Sequence, residues 1–253
     1  MTMHLNARWN LSGSKAAHPS LRQIPERIFN LGLSAVSEMN FKCTFGSGPG
    51  SDLDHYDYYC AIHAMHAAEL LLKTIIALEH PLLIFSNTEK LNVPNNGIND
   101  LSIDQLLEKG ITHDAAKIPT ILWAACNKTF DTNNFEKVRK FRNKIQHFSV
   151  PTDEKNMRAT CLKLLHEDVG KILHDVIGIN TIYYIPDEDQ WDYFFSALIR
   201  YEVKFIMDAD VCVSECDIKG ELSSTSDDYK QWFHKEANRF GGIEKLQYTY
   251  SAS

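Results

Sequence analysis

The stretch "DHYDYYCAIHAMHAAELLLKTIIALEH", residues 54–80, constrains this chain more than any other. Its apolar side chains cover more than one stripe of a helix, so the helix has to be enclosed by others rather than laid on a surface. Pro81 follows and cannot continue it. A long, mostly apolar helix with neighbours on several sides points to a helical bundle. The sequence offers partners on both sides. Leu21, Ile24, Ile28, Leu31, Ala35 and Met39 recur at helical spacing. "FGSGPGSD" then makes a loop, and Asp52 or Asp54 is placed to cap the central helix.

Downstream, "SNTEKLNVPNNGIND" reads as a surface loop. "SIDQLLEKG" reads as a short helix with Ser102 and Gln105 at capping-box spacing and Gly110 as its stop. A helix from about His113 to Lys128 carries Trp123, and "FDTNN" separates it from the next. There Phe135, Val138, Phe141, Ile145 and Phe148 recur every three or four positions. After "FSVP", where the residue before Pro151 is biased away from helix, Asp153 and Glu154 open a last long helix. Its apolar positions are Met157, Cys161, Leu164, Leu165, Ile172, Leu173 and Val176. The chain is therefore expected to be mainly α, with a helical bundle over 21–178 and a mobile arm over 1–20. From Thr181 the pattern changes. "TIYYIP", "YEVKFIM" and "ADVCVSE" read as short strands, "DIKGEL" as a hairpin tip, and "SDDYKQWFHKEANRFGG" as a capped helix closed by glycines. The expectation for 179–253 is a small α+β appendage.

Composition narrows the function. The 253 residues are 44% hydrophobic and 23% charged, ordinary proportions for a globular chain. A net charge of −7 argues against a general nucleic-acid coat protein. The apolar run around Ala67–Phe85 is broken by Glu69, Lys73, Glu79, His80 and Pro81, so no membrane span is expected. The first twenty residues lack the apolar core of a signal peptide, which places the chain in the cytosol. Cys43, Cys60, Cys126 and Cys161 stand alone and read as buried reduced thiols. Cys212 and Cys216 lack a second ligand pair at zinc-site distance. His63, His66 and Glu69 share a helix face, but buried, hydrogen-bonded histidines are the preferred reading there. No Gly-rich phosphate loop follows a strand, and no Ser or Cys sits in a nucleophile motif. The expectation is a protein without metal or cofactor.

Chemistry concentrates elsewhere. "KVRKFRNK", Lys137–Lys144, holds five of the chain's 26 Lys and Arg residues. Beside its apolar stripe lie Arg142, Asn143, Gln146 and His147. On a helix Arg142 and His147 are roughly 140° apart, whereas Asn143 and His147 share a face, as do Arg142 and Gln146. Two copies of this helix meeting about a twofold axis would bring two Arg and two His into one cleft, so a homodimer through the motif helix is expected.

"RNKIQH", Arg142–His147, resembles the R-x4-6-H motif of the HEPN superfamily, in which Asn often follows the Arg. The frame is similar as well: an apolar residue before the Arg, an aromatic after the His, and then a Pro- or acid-led helix. "AIHAMHAAELLLKTII" looks like the central HEPN helix, with Glu69 and Lys73 as its interior polar positions. The resemblance covers about 21–177 and implies a homodimeric, metal-independent endoribonuclease. The ribose 2′-hydroxyl attacks the adjacent phosphorus, leaving 2′,3′-cyclic phosphate and 5′-hydroxyl ends. His147 would be the general base or acid, a task suited to imidazole. Arg142 would hold the phosphate and stabilise charge in the transition state, and Asn143 would orient either. Arg139, Lys140, Lys144 and Gln146 would contact RNA, and Glu69 with Lys73 would line the cleft behind them. The family setting implies a toxin or antiviral effector restrained by an inhibitor or antitoxin protein. The alternative is a non-catalytic HEPN-type module that binds RNA, a nucleotide or a partner. A third reading has Arg142 and Asn143 only brace the turn before Pro151. "KQWFHKEANRF" mixes aromatic and basic residues, for which a packed helix with a solvated side is the preferred reading.

Overall fold

A computed structural model describes residues 11, 15–16, 19–44, 54–86, 88, 110–147 and 156–247. The described chain is mostly helical, and no strand forms within it. The helices are α1 (Ile24–Thr44), α2 (Asp54–Glu79), α3 (Ile118–Cys126), α4 (Thr132–Gln146), α5 (Met157–Lys163), α6 (Gly170–Ile177), α7 (Trp191–Arg200), α8 (Ile218–Ser223), α9 (Asp227–Asn238) and α10 (Ile243–Leu246). A π-helical turn, Leu164–Val169, joins α5 to α6 without a break. The expected short helix at Ser102 and Gln105, the "FSVP" turn and the acidic start at Asp153 lie outside the described residues. So does most of the expected N-terminal arm.

The chain forms two compact units, and the division falls inside α1, after Gly32, and inside α2, after Ala68. One unit takes the described residues of 6–32 and 69–130. Here α2 buries Leu71, Leu72, Ile75, Ile76 and Ala77. Gly32 on α1 lets the backbones approach closely, because a Cβ there would come within 2.8 Å of a Leu71 methyl. A 3-10 turn at Pro81–Ile84 leads to a single bridge between Phe85 and Thr112, and α3 ends on Asn127 in the left-handed conformation. Lys15 reaches Glu79 at 2.6 Å.

The other unit takes 33–68 and 131–253 among the described residues. Asp131 caps α4 by accepting a hydrogen bond from the Asn133 N–H at 3.0 Å, a contact worth about 1 kcal/mol. The α4 stripe buries Phe135, Val138 and Phe141, as its periodicity predicts, and Tyr58 on α2 packs its ring on Phe141. Burying such side chains contributes roughly 2 kcal/mol each. Cys60, Ala61, Ala64 and Met65 of α2 are fully buried in this unit. By length and composition Tyr56–Glu79 would span a bilayer, against the expectation, but 67% of its most apolar window is buried inside the protein, as in a core helix.

The strand expectations after Thr181 are corrected. Thr181–Tyr183 is a 3-10 turn capped by Asn180, and "DIKGEL" contains α8, capped by Asp217. In "YEVKFIM" the alternation is real, since Val203, Phe205 and Met207 are buried, but no neighbouring strand exists among the described residues. Side chains satisfy the extended backbone instead. Glu167 accepts from the Lys204 N–H at 2.6 Å, Asn180 donates to the Ile206 carbonyl at 2.8 Å, and Tyr229 donates to the Val203 carbonyl at 3.1 Å. Period-two burial thus marks an extended segment, whatever supplies its hydrogen bonds. In "ADVCVSE" only Val213 forms a bridge, to Gln247. The predicted terminal helix is α9, capped by Ser226 and followed by Gly241 and Gly242 at positive φ.

Candidate functional site

The C-terminal turn of α4 carries the motif. His147 is the residue that ends the helix, and its N–H bonds to the Asn143 and Lys144 carbonyls, both at 3.1 Å. Its side chain is exposed, while Arg142 and Asn143 are half-exposed. The structure brings Arg142 to Gln146, whose side-chain oxygen accepts its hydrogen bond at 2.9 Å, the pairing their spacing predicts. It does not bring Asn143 to His147: neither side chain has a hydrogen bond among the described residues. Lys140 and Lys144 point to solvent. Arg139, expected to be open to RNA, is instead held by Glu136 one turn back, with an N–O distance of 2.6 Å. Their hydrogen bond raises the Arg139 pKa and lowers that of Glu136.

Glu69 and Lys73 belong to the other unit. Lys73 is 5% exposed, and its ammonium lies 2.6 Å from Glu69 and 3.0 Å from the Thr112 hydroxyl. The pair ties α2 to the Phe85–Thr112 bridge through Thr112. His63 is half-buried and His66 exposed, so the reading of both as buried, hydrogen-bonded residues is corrected. Burial of His63 lowers its pKa. Cys43 and Cys60, read as isolated, are in contact, with their sulfurs 3.1 Å apart. Among the described residues no three His, Cys, Asp or Glu side chains gather as a metal centre would require.

The sequence reading passed over the π-helical turn. His166 is fully buried there, with Nδ1 2.9 Å from the Thr181 hydroxyl and Nε2 3.0 Å from the Asn40 side-chain oxygen. The Asn40 amide nitrogen donates to the Tyr184 carbonyl at 2.8 Å, which leaves its oxygen as the acceptor. Nε2 therefore carries the proton, and the Thr181 hydroxyl has two acceptors for its one proton, Nδ1 at 2.9 Å and the Leu165 carbonyl at 3.3 Å. Burial pushes the His166 pKa down to about 3, in keeping with this neutral tautomer. Next to it, burial raises Glu167, and burial pushes Asp168 up to about 6 although Asn134 of α4 donates to it at 3.0 Å. Asn134 sits thirteen residues before His147, about 20 Å along the helix, so the π turn and the motif are separate places in one protomer. The sequence marks the place only by "HED", three polar residues between Leu165 and Val169.

Fold and site together define a mainly α protein with a basic helix whose last turn presents Arg, Asn and His to solvent. No protein-family model matches this chain, and neither does any curated protein or any solved structure.

Proposed function

We propose that the chain is a HEPN-like, metal-independent endoribonuclease that works as a homodimer through α4. The observation that carries this reading is the placement of Arg142, Asn143 and His147 together on the accessible last turn of α4, while the apolar stripe of the same helix is buried. An RNA phosphate meeting that turn finds the Arg142 guanidinium, which pairs with two phosphate oxygens once it leaves Gln146. His147 moves the proton between the 2′-hydroxyl and the leaving 5′-oxygen. In this proposal a second copy of α4 completes the site about a twofold axis. Lys140 and Lys144 guide the backbone by charge, and their share appears in the salt dependence of binding. The biological setting of this proposal is cytosolic, as a toxin or antiviral effector held in check by an inhibitory protein.

The second reading is a non-catalytic HEPN-type RNA-binding or dimerisation module. It is favoured by the Arg142–Gln146 hydrogen bond, which already occupies part of the guanidinium. Product chemistry separates the two. The purified protein is incubated with cellular RNA in excess EDTA, beside Arg142→Ala and His147→Ala variants verified as folded. Cleavage by the wild type alone, leaving cyclic-phosphate ends, supports the enzyme. RNA binding by the wild type that the variants weaken, without any cleavage, supports the module, and equal cleavage by all three removes α4 from consideration.

A further inference from the structure

The basic and aromatic stretch near the C-terminus has a role that the α4 motif does not explain. In α9 the aromatic residues turn inward: Phe233 is fully buried and Trp232 stacks against Tyr229, ring centroids 5.0 Å apart. That leaves Lys230, His234 and Asn238, at four-residue intervals, on one outer face. This face lines one wall of a groove of about 360 Å³, within the size range of small-ligand clefts. Lys219 and Ser223 of α8, also four apart, line the opposite wall, and Glu244 of α10 closes the end.

Five of these six side chains supply hydrogen-bond donors, and two are fixed cations. Their internal partners hold them loosely. Lys219 meets Glu244 at 3.3 Å with both side chains more than two-thirds exposed. Lys230 meets Asp227 at 3.5 Å, and the Asp227 carboxylate is 92% exposed. Exposed pairs of this kind contribute little, so an incoming anion exchanges them readily. In a chain of net charge −7, the groove gathers hydrogen-bond donors from two helices, with Glu244 beside Lys219 and Asp227 beside Lys230.

We infer that the groove between α8 and α9 is a binding site for a terminal phosphate group, carried by a phosphorylated small molecule such as a nucleoside monophosphate. A phosphomonoester has three peripheral oxygens, enough to meet Lys219, Lys230 and one of His234, Asn238 or Ser223 together. A carboxylate has two and leaves a wall unused. Binding displaces Glu244 from Lys219, so Glu244 acts as a resident competitor for the site. The inference is independent of the α4 motif and of RNA cleavage.

The full-length protein is titrated at low ionic strength by calorimetry with inorganic phosphate, with adenosine 5′-monophosphate, and with a short single-stranded RNA lacking terminal phosphates. The expected result is binding of the first two. The Lys219→Ala/Lys230→Ala double variant weakens it by roughly tenfold or more, as for the loss of two charge-assisted contacts. Glu244→Gln tightens it by about threefold, because the competing charge is gone. All substituted residues are surface side chains, and circular dichroism verifies the fold. Unchanged affinity in the double variant overturns the site. Weaker binding in Glu244→Gln overturns the competitor role. Binding of the unphosphorylated RNA alone, lost in the double variant, overturns the terminal-phosphate assignment in favour of a polymer backbone.

Discussion

Two histidines in the same compact unit, His147 and His166, show opposite uses of one side chain. His166 is enclosed on the π turn with both ring nitrogens engaged, and it packs edge-on against Phe194, ring centroids 5.6 Å apart. His147 ends α4 with its ring in solvent and its backbone alone bonded. A ring whose nitrogens are both satisfied in a dry site holds one tautomer and has no proton to exchange near neutrality. A ring in solvent is open to an incoming substrate. The comparison separates architecture from chemistry: substitutions at His166 should alter stability, and substitutions at His147 should alter activity.

The largest expected effect is on that second arm. Under the proposed function, His147→Ala lowers RNA cleavage by about 10²–10⁴-fold, the range for losing a positioned proton-transfer group. Its melting temperature should stay near wild type, because exposed positions contribute within roughly 0.5 kcal/mol. A large melting shift without loss of cleavage would break the contrast. His166→Leu tests the first arm. It leaves the buried Asn40 oxygen without its donor and the Thr181 hydroxyl with only the Leu165 carbonyl at 3.3 Å, and should cost about 2–4 kcal/mol in chemical denaturation. A neutral result there would mean that the buried network holds nothing together.

Gly170→Ala is a smaller lesion in the same place. A Cβ would lie 2.8 Å from the Thr181 hydroxyl and 2.9 Å from the Leu165 carbonyl, and the latter is backbone that cannot swing away. Roughly 1–3 kcal/mol of destabilisation is expected.

The pH dependence sharpens the picture further. His166 has a folded pKa of about 3, below the ordinary value of 6.5, so its contribution is complete above pH 6.5 and fades as pH falls toward 3. Asp168 has the opposite sign. Its folded pKa of about 6 exceeds the ordinary 3.8, so its contribution is complete below pH 3.8 and is lost as pH rises through 6. Neighbouring residues therefore oppose one another across the acid range. Asp168→Asn should steepen the loss of stability on acidification between about pH 6 and 4, and His166→Leu should flatten it, both measurable by urea melts at fixed pH. The smallest expected effect is at Lys140. Its replacement by Ala should leave stability within about 0.5 kcal/mol and reduce the salt dependence of RNA binding by roughly one counterion.

The fold was readable where burial alone determines the element. The apolar run of 54–80 gave α2 nearly to the residue, and the stripe from Phe135 gave α4. Reading failed where hydrogen bonds come from afar. Val203–Met207 has the pattern of a strand, yet its partners are Glu167, Asn180 and Tyr229, and no local pattern announces that. The candidate site was legible as a set of residues at helical intervals, including the Arg142–Gln146 bond. That Glu136 holds Arg139 depended on which of several neighbouring rotamers wins. Lys219 and Lys230 line one groove, a tertiary fact with no sequence period.

The π turn has one more consequence. A helix that takes up an extra residue within a turn changes phase, and everything after it is rotated by about 100° relative to an uninterrupted α-helix. Cys161 and Leu162 before the turn and Ile172 and Leu173 after it are all buried, so the two halves have been set at different azimuths to meet the same core. Removing one residue of Leu164–Val169 would let the turn close as plain α-helix and leave the 170–177 half in its present phase. Ile172 and Leu173 would keep their neighbours, and the loss would fall on His166 and its hydrogen bonds to Thr181 and Asn40.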